Sequence, residues 1–141
     1  MNIDLFDRLI NYQEDGKSFR VGVIGVGKFA TMFLSQAKST PGIEITAIAD
    51  LDFKKAEASI RTAGFEKNLN TSGFNEAQAS NQIWYTDSGL DLAECDQLDL
   101  VIEATGNPEA AVDHCLAAFN AKSHVVLVTV EADVLCGSAI I

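Results

Sequence analysis

Apolar positions follow two rhythms along this chain. From Ile3 to Tyr12 they recur at helical spacing, with Leu5, Phe6, Leu9 and Ile10 on one face and Gly16 as a stop. This predicts a short docking helix in an N-terminal extension over residues 1–19. Val21-Gly22-Val23-Ile24 is apolar throughout and too short for a helix, and Phe29, Met32, Phe33 and Ala37 then return to helical spacing. The reading is strand, turn, helix. Pro41-Gly42 breaks the chain, Ile43 to Ala49 is a β-branched apolar run, and Asp52 caps a helix through Ala56, Ile60 and Ala63. Residues 64–80 have little periodicity, so Gln82 to Thr86 is the one candidate for a third strand. A fourth strand, Leu98 to Ile102, leads to a helix that opens at Pro108 and buries Val112, Cys115, Leu116 and Phe119; His124 to Val130 is a fifth. Strands apolar on both faces and alternating with helices predict a parallel sheet covered on each side, in the order 3-2-1-4-5.

Composition narrows this to one globular domain: 141 residues, 48% hydrophobic, with 10 Gly and 2 Pro. No apolar run is long enough to span a bilayer, and Met1-Asn2-Ile3-Asp4 lacks the order of a signal peptide, so the expected setting is the cytoplasm. Cys95, Cys115 and Cys136 have no metal-ligand spacing and are expected as reduced core thiols. The net charge of −10 lies in the second half: residues 68–141 hold 11 acidic side chains and one base, Lys122. Nucleic acid is an unsuitable partner for such a surface. The acidic group Asp87, Asp91, Glu94, Asp96 and Asp99 is read as a solvated face rather than a metal site.

The chemistry concentrates in Gly25-Val26-Gly27-Lys28-Phe29-Ala30, a GxGxxA pattern between the first strand and first helix. Gly25 can make the tight turn, Gly27 can let a pyrophosphate approach the backbone, and Ala30 is small enough for close helix–strand packing. The helix end offers unpaired N–H groups and a dipole, with Lys28 supplementary. Asp50, twenty residues past Ala30, closes the second strand where a dinucleotide fold places its ribose-binding acid. The expected architecture is therefore a Rossmann-type, doubly wound α/β sheet binding NAD or NADP. Ala104, Thr105, Gly106 and Asn107 follow the fourth strand at the ligand edge and are expected to face the cofactor; Asn107 also suits a helix N-cap. Glu131 either contacts the nicotinamide side or is solvated, and Asp133 suits a helix cap. Glu103, Glu131 and Asp133 are the ionisable candidates at this edge, without a visible partner, so no catalytic residue is named. His114 is read as an exposed helix histidine, His124 as the start of a strand at the opposite edge, and Trp84 and Tyr85 as core aromatics.

The segments VGVIGVGKFATMFL, TAIADLD, LVIEATGNPEAA and HVVLVTVEADVL, in that order, resemble homoserine-dehydrogenase-like oxidoreductases. The likeness is greatest to the branch with a C-terminal SAF-type domain, which includes reductoisomerase-like enzymes acting on deoxyxylulose phosphate; Asn2 to Asp15 is similar to their opening helix. It implies hydride transfer on a small hydroxy, carbonyl or sugar-phosphate substrate, by a homo-oligomer whose substrate domain follows a cofactor domain like this one. Glu131-Ala132 stands where homoserine dehydrogenases carry Asn-Lys, which argues against homoserine as substrate. The Asp50 carboxylate favours NAD, whereas the branch implies NADPH, with Lys54 or Lys55 reaching its phosphate. The rival readings are a dinucleotide-sensing module and a sugar dehydrogenase of the glucose-fructose oxidoreductase type, the latter distinguished by the segment from Val130 to Leu135.

Overall fold

A computed structural model describes residues 4–140; the expectations for Met1–Ile3 and Ile141 lie outside them. Helix α1 (Leu5–Glu14) is followed by β1 (Phe19–Ile24), α2 (Lys28–Ser39), β2 (Ile43–Ala49) and α3 (Phe53–Thr62). Then come β3 (Leu69–Asn70), α4 (Phe74–Ala79), β4 (Ile83–Thr86) and α5 (Gly89–Ala93). The chain closes with β5 (Leu100–Glu103), α6 (Pro108–Asn120), β6 (His124–Leu127) and α7 (Val130–Ile140). All pairings are parallel, in the order β3-β4-β2-β1-β5-β6. The five expected strands keep their expected order. The sixth, β3, is a two-residue addition at the edge beyond β4, and it and α4 occupy residues 64–80, where periodicity was too weak to predict an element.

Alternation along the strands builds two cores. Val21, Val23, Ile48 and Ile83 face α2 and α3, where Leu34 and Ile60 are fully buried. Each such side chain contributes about 1.5–3 kcal/mol by leaving water. Ile24, Ala47, Ala49 and Val101 face the other layer, with Leu92 of α5 and Ala118 of α6. Gly22 also lies on this side: a Cβ there would stand 2.7 Å from Leu98, so its absence lets α5 and its flanking loop approach the sheet.

Caps follow the sequence reading. Asp52 accepts from the amides of Lys54 and Lys55, Asn107 from that of Ala110, and Pro108 opens α6. Helix α1 buries no residue, but Tyr12 stacks on Phe19 at 4.6 Å and Gln13 accepts from the Gly42 amide. The aromatics of β4 fill space as expected: Tyr85 meets Phe53 edge-on and Trp84 meets Phe74. Cys115 is a buried free thiol, while Cys95 and Cys136 are half-buried.

Four expectations are corrected. The buried face of α6 is Ala111, His114, Cys115 and Ala118, while Leu116 and Phe119 are exposed, because small side chains let this helix pack close to the sheet. His114 is consequently buried rather than solvated. The last strand stops at Leu127, since Val128 donates to the Glu103 carbonyl at the end of the ladder and the chain then turns into α7. Asp133 lies inside the first turn of α7, past the N-cap position expected for it.

Candidate functional site

At the carboxyl edge of the sheet, the β1–α2 loop bends sharply at Gly25. This residue has φ +89°, and a Cβ on it would stand 2.7 Å from the Ala104 carbonyl oxygen. Glycine is thus required for the turn to lie against the loop after β5. Backbone bonds fasten the contact: Gly25 N–H donates to the Ala49 carbonyl and Ala104 N–H to that of Ile24, each at 2.8 Å. Gly27, the N-cap of α2, differs in kind. Its φ of −76° suits any residue, and a Cβ there would meet no protein atom within 4 Å. The fold makes no use of its missing side chain, and the space adjoins the unpaired first-turn amides of α2, where a phosphate is favoured.

Asp50, just past the end of β2, is held beside this helix end. Its Oδ2 accepts from the Val26 amide at 3.0 Å and its Oδ1 from the Asp52 amide at 2.9 Å. Two of about four acceptor positions on the carboxylate are used, leaving capacity for a diol. The Tyr85 hydroxyl braces the same residue by donating to its carbonyl at 2.6 Å. Burial first, and then the neighbouring carboxylates of Asp87, Asp50 and Asp52, push the Tyr85 hydroxyl above its ordinary pKa, so it stays a donor.

A second polar cluster lies under the β5 loop. Glu103 is fully buried, and its Oε1 accepts from the Thr105 hydroxyl at 2.6 Å, the Thr105 amide at 3.3 Å and His114 Nδ1 at 3.3 Å. Its Oε2 accepts from the Thr129 hydroxyl, whose oxygen accepts from the Gly106 amide. Burial raises the carboxyl pKa, but the bonds from His114, Thr105 and Thr129 outweigh it and leave the group below its ordinary value. One buried anion thus joins β5, α6 and the loop after β6.

These elements wall one cleft of about 660 Å³. It brings together the expected residues Gly25, Gly27, Asp50, Ala104, Thr105 and Asn107. Ala30 is buried on the core-facing side of α2, as its packing role requires. Lys28 lines a neighbouring shallow groove, and Phe29 is partly exposed on the outer surface of α2. Gly106 is exposed, has φ +71° and is not among the lining residues. Glu131 is exposed in the first turn of α7 and is not among the lining residues. Asp87, Gly89 and His114 line the cleft without having been expected there. For His114 the signal was indirect: a glutamate ending an apolar strand needs buried donors, and His114 lies on the helix that follows; for Asp87 and Gly89 there was none. Among the described residues no cluster of His, Cys, Asp and Glu fit for a metal occurs, and no helix is long and apolar enough to cross a membrane.

The fold is similar to that of a homoserine dehydrogenase from Thiobacillus denitrificans, with a TM-score of 0.66 and 20% identity over 88% of this chain and 26% of that one. It is also similar to myo-inositol dehydrogenase from Lactobacillus casei in complex with NAD(H) and myo-inositol, with a TM-score of 0.59 and 19% identity over 78% of this chain and 28% of that one. Scyllo-inositol dehydrogenase from the same organism, with NAD(H) and scyllo-inositol, gives a TM-score of 0.58 and 12% identity over 79% and 28%. The chain spans about a quarter of the length of these proteins. No curated protein matches its sequence. Residues 19–127 match the model of one family, so this chain belongs to the GFO/IDH/MocA oxidoreductase family, with its NAD-binding Rossmann fold.

Proposed function

We propose that this chain is the cofactor-binding part of an NAD(P)-dependent oxidoreductase that transfers hydride to or from a small hydroxy, carbonyl or sugar-phosphate substrate. Gly27 carries the reading: its empty cradle serves no purpose in packing, and it opens on a helix end suited to a diphosphate. Asp50 accepts from the adenosine ribose. Ala104, Thr105 and Asn107 wall the nicotinamide side, with Gly106 giving their loop its left-handed turn. Lys28 and Phe29 flank the helix end, and Glu131 reaches the nicotinamide side only if α7 moves toward the cleft. The bound nicotinamide supplies the hydride donor or acceptor. Substrate contacts, the catalytic acid or base and a homo-oligomer interface belong to parts of the protein beyond the cleft described here.

The homoserine-dehydrogenase-like branch is supported by the order of the sequence segments alone, since the fold likeness extends to inositol dehydrogenases as well. Glu131-Ala132 in place of Asn-Lys favours a substrate other than homoserine. Calorimetry tests the core of the proposal. Wild-type protein should bind NAD or NADH, and Gly27→Val should lose that binding while unfolding at nearly the wild-type temperature, because its methyl groups enter ligand space rather than the core. Absence of binding by folded wild type at millimolar dinucleotide would refute the proposal.

A further inference from the structure

His114 lies 64 residues after Asp50 in the sequence and reaches the cleft through the packing of α6. Its ring is buried between Glu103 on one side and Gly89, the first residue of α5, on the other. An ionised carboxylate only accepts hydrogen bonds, so Nδ1, at 3.3 Å from Glu103 Oε1, must carry a proton. Glu103 has two threonine hydroxyls as further donors and is thereby held as the anion. Nε2 lies at the opposite corner of the ring, where a Cβ on Gly89 would stand only 2.5 Å away. Glycine at position 89 therefore leaves Nε2 its room, and both residues line the cleft with Asn107 and Ala110. A carboxylate behind the ring fixes the tautomer and orientation of a histidine that faces a ligand.

We propose that His114 is a ligand-binding residue of this cleft: Glu103 keeps the proton on Nδ1, and the bare Nε2 accepts a hydrogen bond from a hydroxyl or amide N–H of the bound dinucleotide. This rests on the dinucleotide reading of the cleft. Glu103 acts through His114 and is a positioning residue. Nothing in the packing of α6 requires an acceptor at this corner of the ring, whereas Ala111, Cys115 and Ala118 suffice to seat the helix.

Histidine-labelled protein gives a direct readout, because long-range proton–nitrogen spectra distinguish protonated from bare ring nitrogens. The chain has two histidines, and the exposed His124 at the far edge of the sheet is an internal control. The free protein should show His114 protonated at Nδ1 and bare at Nε2, and saturating NAD should shift Nε2 of His114 while leaving His124 unmoved. His114→Asn keeps a donor for Glu103 near the Nδ1 position but places no atom where Nε2 stood, and should weaken NAD binding about three- to tenfold. A proton on Nε2 in the free protein would overturn the proposal. So would an unmoved Nε2 signal at a dinucleotide saturation verified by calorimetry. If calorimetry detects no dinucleotide binding, the reading of the cleft falls first and this proposal with it. Should His114→Asn not fold, the wild-type spectra decide alone.

Discussion

Glu103 is paired with a histidine and two threonines rather than with a lysine or arginine. Its carboxyl titrates below the ordinary value of 4.5, so the folded protein binds this proton less readily than the unfolded chain. The resulting stabilisation is complete above the unfolded value and is lost as pH falls through the folded one. Melting temperatures recorded from pH 6 down to pH 3 should therefore fall more for wild type than for Glu103→Gln. At pH 7 the variant should be less stable by about 1–3 kcal/mol, because it weakens bonds to a buried charge. Equal acid sensitivity of the two proteins would mean that Glu103 does not hold its partners as an anion. Sequence alone placed Glu103 at the ligand edge, because strand endings can be read from hydrophobicity. Its partners stayed hidden, since His114 lies eleven residues away and Thr129 twenty-six, and only folding brings them together.

Helix α6 marks the limit of periodicity as a guide. Its apolar residues are so numerous that two adjacent stripes satisfy helical spacing, and the larger side chains favoured the wrong one. The sheet selected Ala111, Cys115 and Ala118 because a helix crossing closely over β5 has room only for small groups. Ala118 is 0% exposed and Leu116 51%. In urea unfolding, Ala118→Leu should cost about 1–3 kcal/mol through overpacking, whereas Leu116→Ser should stay within about 0.5 kcal/mol. The stripe expected from the sequence would give the reverse order. Elements with one clear stripe or a continuous apolar run, such as α3 and β1, were placed to within a residue or two. The two-residue β3 and six-residue α4 offer too few positions for any period to be visible.

Across the whole molecule, charge decides which dinucleotide suits the cleft. Its lining includes the carboxylates of Asp50, Asp52 and Asp87 against the single cation of Lys55, within a chain of net charge −10. A ribose diol is accommodated by such a surface, and a 2′-phosphate is repelled. NAD should bind more tightly than NADP by at least about tenfold at low salt, with the gap narrowing as salt screens the repulsion. Asp50→Asn should narrow it as well. Calorimetric dissociation constants for both dinucleotides, with and without 0.5 M salt, test this, and a preference for NADP would assign the 2′-phosphate to Lys55. The doubly wound order was legible because each strand is apolar on both faces, which fixes a covered parallel sheet. The edge strand β3 was not, since its two residues carry no pattern and only pairing with β4 makes them a strand.

The two glycines of the first loop separate heritable folding from heritable function. A cell-based mutational scan that scores protein abundance should reject nearly every replacement of Gly25, whose backbone admits no Cβ, yet tolerate most replacements of Gly27. Abundance alone would thus rank Gly27 among the dispensable positions. A selection for ligand capture should rank both as intolerant, and the discrepancy between the two maps would outline the binding surface without any ligand-bound structure.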